Sequence, residues 1–289
     1  MSIWGILAVD LDGTVVRRGL EIRRSDREAL QEALRQGLLP VVATGRRPAT
    51  SRRFAHDLGL ALSPLISCDG ALVIGPGGEE WVAREVPREV VRTAAILCEE
   101  HGVGVGFSTK ERLYVQPGTL RLHPWRHIWR RGALRSPGKL RRALWDIVER
   151  TVVQGRFDAD AAPPVYKIDL FGPGAAEARD WLLRAVQGVQ ETAPVGALEI
   201  VVQGVDKSSG IEVLLGHYGL AWQDVIAIGN DWNDARMIER AGYGVAMGDA
   251  PQSIRARAAF VTGSIKEGGV AAAVERYLEE WLPHVRDRL

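Results

Sequence analysis

Short apolar segments alternate with amphipathic segments in both end regions of this chain. Each apolar segment has the length of a buried strand and ends at a glycine or a polar residue, and each amphipathic segment has the spacing of a helix. Buried strands that alternate with helices are typical of a parallel sheet covered by helices on both faces. The sequence therefore predicts an α/β fold built on a doubly wound parallel sheet.

The predicted strands and helices of this sheet fall into two blocks. The first block comprises a strand at 3–9, a helix at 25–36, the strand LLPVVATG, the helix PATSRRFAHDL, and the strand and turn PLISCDGALVI. The second comprises the strand LEIVVQG, a helix at 207–218, the strand DVIAIG, a helix from about 231, and the strands YGVAMG and AAFVTG. The first helix carries a start signal, because Ser25 and Glu28 have the spacing of a capping box and Gly37 follows the helix.

The middle of the chain has a different pattern. It comprises a helix at 87–101, the strands GVGVGFS and RLYVQP, a basic segment, a helix near 138–150, the strand VYKIDLFG and the helix AAEARDWLLRAV. A chain of 289 residues is long enough for two domains. We therefore predict a core made of residues 1–83 and 195–289, with an α+β domain inserted at 84–194.

Composition narrows the class of protein. The net charge of +1 gives no global field that would favour nucleic acid or a membrane surface. The apolar run IWGILAV stops at Asp10 and is too short for a signal peptide or a membrane span. Two cysteines, Cys68 and Cys98, are too few for a disulfide framework, and Cys68 has the surroundings of a small core residue. We expect a cytoplasmic protein with no nucleic-acid or membrane partner; the sequence carries no signal of its oligomeric state.

One basic and aromatic segment, RLHPWRHIWRRG at residues 121–132, departs from this average composition. Such a segment can stack on nucleic acid, but the near-zero net charge favours a solvated surface. It could also present Arg or His to an anionic part of a substrate. His123 and His127 have helical spacing, yet the sequence places no third metal ligand with them.

Two carboxylates follow the first predicted strand in the motif VDLDGTVV. Asp10 and Asp12 are two residues apart, and Gly13 loosens the turn that carries them. In an open parallel sheet, ligands bind at the carboxyl ends of the strands. The two carboxylates can therefore face one small site, one as a nucleophile and one as a general acid and base.

Three further motifs are predicted at strand ends of the same sheet. In VVATGRR, the Thr44 hydroxyl and nearby N–H groups can hold an anion. In QGVDKSSG, Lys207 at a helix start supplies a point charge for a phosphate or a carboxylate. In IGNDWND, two amides and two carboxylates crowd one turn. Each motif alone also fits a solvated turn or a capped helix start, but together they predict one active site.

These four motifs resemble those of the haloacid dehalogenase superfamily of phosphatases, and most closely its Cof-type branch, which has a Rossmann-like core and a large inserted α/β cap. The similarity extends to SCDGALV, LEIVVQGVDK, GVAMGDA and EGGVAAAV and so covers nearly the whole chain. The resemblance implies a phosphatase for a small phosphorylated metabolite, with a sugar phosphate as the expected class. It also implies Mg²⁺ as the cofactor.

The resemblance implies a role for each of these residues. Asp10 would attack phosphorus and form an aspartyl-phosphate, and Asp12 would protonate the leaving alcohol and then activate water. The groups expected to bind the phosphoryl oxygens are Thr44 and Lys207. The residues expected to contact the substrate are Gly13, Gly45, Arg46 and Asn233. Mg²⁺ and the lysine would offset the repulsion between a phosphoryl dianion and a carboxylate nucleophile.

The metal ligands implied by the resemblance are Asp10, the backbone carbonyl of Asp12, Asn230 and Asp234. Asn230 departs from the family pattern, which has an aspartate there, and so can offer Mg²⁺ an amide oxygen without charge. If a helix begins near Asp231, then Asn230, Asn233 and Asp234 share one face, and Asp234 can supply the charge. Asp231 is the weaker candidate. Two other departures, Asp69 and Asp249, stand where asparagine is usual.

Other functions also fit this architecture. A phosphosugar mutase or a glycosyl-phosphoglycerate phosphatase would resemble it. A regulatory binding protein with a weakened metal site is a further alternative, suggested by Asn230. The presence of Asp10, Asp12, Thr44 and Lys207 favours an enzyme over a binding protein.

Overall fold

The computed structural model of this chain describes residues 3–17, 21–116, 151–153, 157–192 and 198–280. Its strands are β1 (Gly5–Val9), β2 (Val16–Arg17), β3 (Glu21–Ile22), β4 (Leu38–Ala43), β5 (Leu65–Ser67), β6 (Leu72–Ile74), β7 (Glu80–Ala83), β8 (Gly104–Ser108), β9 (Leu113–Val115), β10 (Thr151–Val153), β11 (Lys167–Phe171), β12 (Val189–Glu191), β13 (Leu198–Val202), β14 (Val225–Gly229), β15 (Tyr243–Ala246) and β16 (Phe260–Val261). Its α-helices are α1 (Arg24–Arg35), α2 (Pro48–Asp57), α3 (Arg88–Glu100), α4 (Ala175–Ala185), α5 (Lys207–Tyr218), α6 (Ala235–Arg240), α7 (Gln252–Arg255) and α8 (Gly269–Glu280). Short 3₁₀ turns lie at Cys68–Gly70, Trp222–Asp224 and Trp232–Asp234.

Within the described residues, eight strands form the first sheet, in the order β16–β15–β14–β1–β4–β5–β6–β7. The strands from β16 to β5 run parallel, whereas β6 pairs antiparallel with β5 and with β7. The predicted α/β fold with a parallel sheet is therefore confirmed. The strand order reverses at β1, because β4 and β5 lie on one side of it and β14, β15 and β16 on the other. Such a reversal opens a crevice at the carboxyl ends of the strands, where ligands bind in sheets of this class.

The centre of the first sheet is held by aliphatic side chains on β1 and its neighbours. Every residue of β1 is buried, and α1 packs on β4 and on α8. The core includes the fully buried side chains of Ile6, Leu7, Val41, Ile226 and Val245. Burying one large aliphatic side chain stabilises the fold by about 1.5–3 kcal/mol. These side chains therefore hold the strands in place, and the polar residues begin where the buried strands end.

Within the described residues, six strands form a second sheet, in the order β10–β9–β8–β11–β13–β12. It has a core of its own that joins α3, α4 and the sheet and includes Val90, Phe107, Ile168 and Leu182.

The strand LEIVVQG is in a different sheet from the one predicted. Its residues Leu198–Val202 form β13, which pairs antiparallel with β11 of the second sheet, with Ile200 opposite Ile168. The expectation that the first sheet resumes near residue 195 is therefore wrong by one strand, and the chain returns to the first unit at α5. Apolar alternation shows that a strand has a buried face, but not which sheet it joins.

The predicted N-cap at Ser25 is wrong. Helix α1 begins at Arg24, and its N-cap position is Arg23, which makes no side-chain capping bond within the described residues. Glu28 pairs with the Arg24 guanidinium at 2.7 Å instead of closing a capping box. The nearby polar side chain that does cap a helix is Asp26, which accepts a hydrogen bond from the backbone N–H of Ala271 in the first turn of α8 at 3.0 Å.

Several sequence predictions lie outside the described residues. These are the basic segment at 121–132 with His123 and His127, and the helix near 138–150. Among the helices that the structure does describe, none has the length and apolar character needed to cross a membrane.

Candidate active site

The predicted site residues gather at the carboxyl edge of the first sheet. Asp10, Thr44 and Asn230 directly follow the neighbouring strands β1, β4 and β14. Lys207 differs from the prediction, because it does not follow a strand of this sheet. It is the first residue of α5, whose N-cap Asp206 accepts a hydrogen bond from the backbone N–H of Ser209 at 2.9 Å. The long lysine side chain nevertheless reaches the strand ends from there.

Lys207 joins two buried carboxylates. Its Nζ donates to Asp10 Oδ1 at 2.7 Å and to Asp234 Oδ1 at 2.6 Å, and the side chains of Lys207 and Asp234 are fully buried. Burial alone would lower the pKa of Lys207, but the two carboxylates outweigh it and raise that pKa above its usual value. Lys207 therefore stays charged and holds the two aspartates in place.

Asp10 lies in surroundings that disfavour its charge. The pKa of Asp10 is raised from 3.8 to about 8, mainly by burial and further by the Asp234 and Asp12 carboxylates, while Lys207 opposes the shift. A nucleophilic carboxylate must be ionised, so one lysine leaves the site short of positive charge. A bound cation beside Asp10 would supply the missing charge and favour the ionised form.

The turn after β14 is not the helix that was predicted from residue 231. A 3₁₀ turn at Trp232–Asp234 precedes α6, which begins at Ala235. Its polar side chains consequently point in three directions: Asn230 lies against Thr14, Asn233 donates to Asp69, and Asp234 accepts from Lys207. The shared face expected for these residues is therefore wrong.

Both oxygens of the fully buried Asp234 side chain already accept hydrogen bonds. One carboxylate oxygen accepts from Lys207, and the other accepts from the backbone N–H groups of Asn230 and Asp231 at 2.9 and 3.1 Å. The contacts give Asp234 a structural role, and its role as a direct metal ligand stays a prediction. Its position explains how Lys207 and the Asn230 turn are held.

Two oxygen atoms of the first motif lie close to the side-chain amide of Asn230. The amide oxygen of Asn230 accepts from the Thr14 hydroxyl at 3.0 Å. The same amide position lies 3.2 Å from Asp10 Oδ2 and 3.0 Å from the backbone oxygen of Asp12. Octahedral Mg²⁺ with ligands at 2.0–2.1 Å places adjacent oxygens about 3 Å apart. The two distances from the Asn230 amide match this spacing, and a carboxylate, a backbone carbonyl and an amide oxygen are all ligands that Mg²⁺ accepts.

The Asn230 amide can also satisfy the site without a cation. A half-turn of the amide puts its NH₂ group within hydrogen-bond distance of Asp10 Oδ2, the Asp12 carbonyl and the Thr14 hydroxyl. An aspartate at this position could accept a cation but could not make those donations. The side chain at 230 therefore influences both the metal-free and the metal-bound protein.

We expect Asn230→Asp to tighten Mg²⁺ binding by about 1–2 kcal/mol, or roughly 5–30-fold, because it adds a charge in a partly hydrated site. In EDTA the same variant should melt at a lower temperature than wild type, since a carboxylate would then face Asp10 without a cation. Calorimetric Mg²⁺ titration and thermal melts with and without Mg²⁺ measure both effects. Asp231→Ala is the control and should change Mg²⁺ affinity little; a large loss there would identify Asp231 as the metal carboxylate.

Arg46 holds the second carboxylate of the first motif. Its Nε and Nη2 donate to the two oxygens of Asp12 at 2.6 and 2.7 Å, and its guanidinium lies over the Phe54 ring. The Asp12 side chain is 55% exposed, in contrast to the buried Asp10. The Thr44 hydroxyl accepts from the backbone N–H of Arg46 at 3.2 Å, which ties this loop to the end of β4. Arg46 thus orients Asp12 in this structure, and its contact with substrate stays a prediction.

Two predicted substrate-contacting glycines lie directly beneath polar side chains. Gly13 has φ +89°, and a Cβ there would lie 2.4 Å from Asn230 Nδ2. A Cβ on Gly45 would lie 2.9 Å from Asp69 Oδ2. Any larger residue would push these side chains out of place, so both glycines are needed for close packing whether or not they touch a substrate.

Four charged residues at the site were not predicted from the sequence. We call Asp69, Lys167, Asp169 and Glu199 the inter-sheet cluster, because Asp69 follows β5 of the first sheet and the other three lie on β11 and β13 of the second. Lys167 Nζ lies 2.6 Å from Glu199 Oε1, 3.3 Å from Asp169 Oδ1 and 3.6 Å from Asp69 Oδ2. The sequence did indicate these residues in the strand VYKIDLFG, because Lys167 and Asp169 are charged side chains on one face of an otherwise apolar strand.

The turn that carries Asp69 is strained. Cys68 and Asp69 both have positive φ, at 48° and 54°. A non-glycine residue in this region costs on the order of 1–3 kcal/mol and persists where the surrounding structure enforces it. Cys68 is fully buried, as predicted for a core residue, and burial raises its pKa to about 12, so it is not a reactive thiolate.

Comparison with known proteins supports the resemblance seen in the motifs. The model of the haloacid dehalogenase-like hydrolase family matches residues 7–136 and 178–274, which is most of the chain. A solved haloacid dehalogenase-like hydrolase from Bacteroides thetaiotaomicron superposes with a TM-score of 0.78 and 27% identity, covering 94% of this chain and 99% of that one.

Two relatives illustrate the range of similar proteins. The 5-amino-6-(5-phospho-D-ribitylamino)uracil phosphatase YitU of Bacillus subtilis (strain 168) is 25% identical over 94% of this chain and 97% of its own length. The chloroplastic endoribonuclease YBEY of Arabidopsis thaliana is 27% identical over 93% of this chain, but the match spans only 45% of that longer protein. With the family match over most of its length and the motif residues gathered at one sheet edge, the chain belongs to the haloacid dehalogenase-like hydrolases.

Proposed function

We propose that this protein is a Mg²⁺-dependent phosphomonoesterase that acts on a small phosphorylated metabolite through an aspartyl-phosphate on Asp10. The observation that carries the proposal is the buried Asp10–Lys207–Asp234 contact, beside which Asp10 Oδ2 and the Asp12 carbonyl lie 3.2 and 3.0 Å from the Asn230 amide. Bound Mg²⁺ would supply positive charge to the phosphoryl oxygens and to Asp10. The name of the Bacillus subtilis relative, a phosphatase, supports the same reaction class.

The proposed reaction gives each carboxylate of the first motif one role. A carboxylate oxygen of Asp10 attacks phosphorus, the bond between phosphorus and the ester oxygen breaks, and the leaving alcohol takes a proton from Asp12. Asp12 then removes a proton from water as the water oxygen attacks phosphorus, which frees Asp10 and releases phosphate. Lys207 keeps Asp10 in place and neutralises charge in both steps.

We further propose that the second unit, at residues 84–205, covers this site as a cap. Polar contacts join it to the first unit. Arg47 donates to the backbone oxygen of Glu111 at 2.8 Å, and the Lys110 ammonium pairs with the Glu80 carboxylate. The buried Lys167–Asp69 pair lies between the two sheets. Closure of a cap would exclude water and select the organic part of the substrate.

Hydrolysis of p-nitrophenyl phosphate tests the reaction class. Turnover in Mg²⁺ that disappears in EDTA and returns with added Mg²⁺ is the expected result. A folded protein that binds phosphate esters but hydrolyses none of them would instead support the binding-protein alternative.

We expect Asp12→Ala to lower kcat by about 10²–10⁴-fold, which is the usual contribution of one general acid and base. The loss should be larger for an alkyl phosphate than for p-nitrophenyl phosphate, because nitrophenolate leaves without needing a proton. Steady-state kinetics on both esters measure the difference. Equal losses on the two esters would contradict proton transfer by Asp12, and Asp57→Ala on the exposed end of α2 serves as the control.

A further inference from the structure

The strained turn at Cys68–Gly70 is hydrogen-bonded to the loop that follows β4. The backbone N–H of Asp69 donates to the Thr44 carbonyl at 3.1 Å, and the backbone N–H of Cys68 donates to the Arg46 carbonyl at 2.9 Å. The two bonds hold this loop at both of its ends. The turn therefore fixes the place of Thr44, the predicted ligand of the phosphoryl oxygens.

The same turn also contacts the loops of the other two later motifs. Asp69 Oδ1 accepts a hydrogen bond from Asn233 Nδ2 at 2.9 Å. A Cβ on Gly70 would collide with the backbone oxygen of Asp206, the N-cap of the helix that begins at Lys207. One buried turn thus lies against three of the four motifs that form the site.

The second oxygen of Asp69 faces the second sheet. Asp69 is 1% exposed, and Lys167 Nζ lies 3.6 Å from its Oδ2, which is an ion pair but too long for a hydrogen bond. Lys167 is held in turn by Glu199 at 2.6 Å and by Asp169 at 3.3 Å. Attraction between opposite charges is strong in a buried place, so Lys167 keeps the Asp69 carboxylate in one orientation.

An asparagine, the usual residue at this position in the family that the motifs resemble, could not serve both contacts. Its single side-chain oxygen could accept from Asn233 or face Lys167, and its NH₂ group would then point at the other donor. A carboxylate serves both donors at once, and aspartate tolerates positive φ as asparagine does. The departure at Asp69 therefore links the second sheet of this chain to the loops at the strand ends.

We infer that Asp69 is a positioning residue: it aligns Thr44 and Asn233 with the transferring phosphoryl group, and Lys167 fixes the orientation of its carboxylate. The inference rests on the proposed phosphatase function. Asp69 acts through the two residues that it holds and does not touch the reacting atoms. Alignment of this kind matters most in the transition state, so its loss lowers kcat more than it changes KM.

Steady-state kinetics on p-nitrophenyl phosphate at saturating Mg²⁺ test the alignment. Asp69→Ala removes both side-chain contacts and should lower kcat ~10–100-fold while KM changes less than ~3-fold. Asp69→Asn keeps an acceptor for Asn233, so it should recover part of that loss and lie ~3–10-fold below wild type. Lys167→Met should resemble Asp69→Asn, and the two changes together should cost no more than the larger single loss, because both remove the same contact.

An NMR measurement without substrate separates this inference from the phosphatase function. In ¹⁵N-labelled protein, Lys167→Met should shift the side-chain amide signals of Asn233, because the Asp69 carboxylate that accepts from them has lost its partner. Lys110→Met is the matched control, since Lys110 also pairs across the two units, with Glu80, but lies outside the inter-sheet cluster. It should leave both the Asn233 signals and kcat unchanged.

Four results would overturn the inference. These are wild-type kcat in both Asp69 variants, a loss confined to KM, additive losses in the double variant, or unchanged Asn233 signals in Lys167→Met. A loss confined to KM would place the cluster in contact with the substrate instead. If Lys167→Met does not fold, the kinetics of the two Asp69 variants decide the question. A wild type that hydrolyses no ester, with Asn233 signals that shift as expected, would count against the phosphatase proposal alone.

Discussion

Asp10→Asn should abolish turnover, with kcat lowered on the order of 10⁴–10⁶-fold, as is found when a covalent nucleophile is removed. The amide has the shape of the carboxylate but cannot form the aspartyl-phosphate. The fold should survive, because burial already holds the pKa of Asp10 near 8 and so penalises its charged form. Kinetics on p-nitrophenyl phosphate and a thermal melt in EDTA measure the two effects.

Trapping the phosphorylated protein tests directly whether Asp10 is the nucleophile. Acid quenching of wild type during turnover of a ³²P-labelled ester should leave label on the protein, and the Asp10→Asn variant should carry none. Beryllium fluoride should likewise bind wild type and fail to bind the variant. Asp231→Asn is the matched control, since it makes the same chemical change at an exposed carboxylate of the neighbouring turn. Full activity or retained label in Asp10→Asn would rule out this mechanism.

Lys207→Met should cost both activity and stability. Removing one partner from a buried ion pair typically lowers the free energy of unfolding by about 3–5 kcal/mol, because it leaves charge buried without compensation. Here it leaves two carboxylates, Asp10 and Asp234, at the place where one ammonium joined them. Urea unfolding in EDTA measures the loss, and Lys266→Met at an exposed lysine should change the unfolding free energy little.

A second change distinguishes charge from packing at Lys207. Adding Asp234→Asn to Lys207→Met removes a buried carboxylate that has lost its cationic partner, so part of the lost stability should return. Activity should not return, because Asp10 still lacks its cationic partner. If the double variant is no more stable than Lys207→Met, the loss comes from side-chain packing and the electrostatic account of this contact is wrong.

Local sequence patterns were sufficient to predict which residues stand at the strand ends that form the site. Asp10, Thr44 and Asn230 each follow an apolar strand, and parallel strands place their carboxyl ends at one edge. Those strands are nearly continuous apolar runs in the sequence, as is typical of parallel strands that are buried on both faces. The parallel sheet, the helix at 207–218 and the buried character of Cys68 could be predicted for the same reason.

Other features depended on contacts between distant parts of the chain. The apolar pattern of β13 fits either sheet, and only its pairing with β11 decides that it belongs to the second. The helix expected from about residue 231 begins only at Ala235, after a 3₁₀ turn, because Asp234 folds back to accept the N–H groups of Asn230 and Asp231. Propensity within one segment does not determine such side-chain to backbone bonds.

The sequence by itself determined the strand ends at which the reactive groups stand, because strand burial and turn chemistry are local properties. Tertiary structure alone decided what those groups do to one another. Lys207 meets Asp10 across 197 positions of sequence, and Lys167 meets Asp69 from the other sheet. The raised pKa of Asp10 and the charge balance of the inter-sheet cluster arise from these contacts. Burial and Coulomb interaction depend on distance in space and not on distance along the chain.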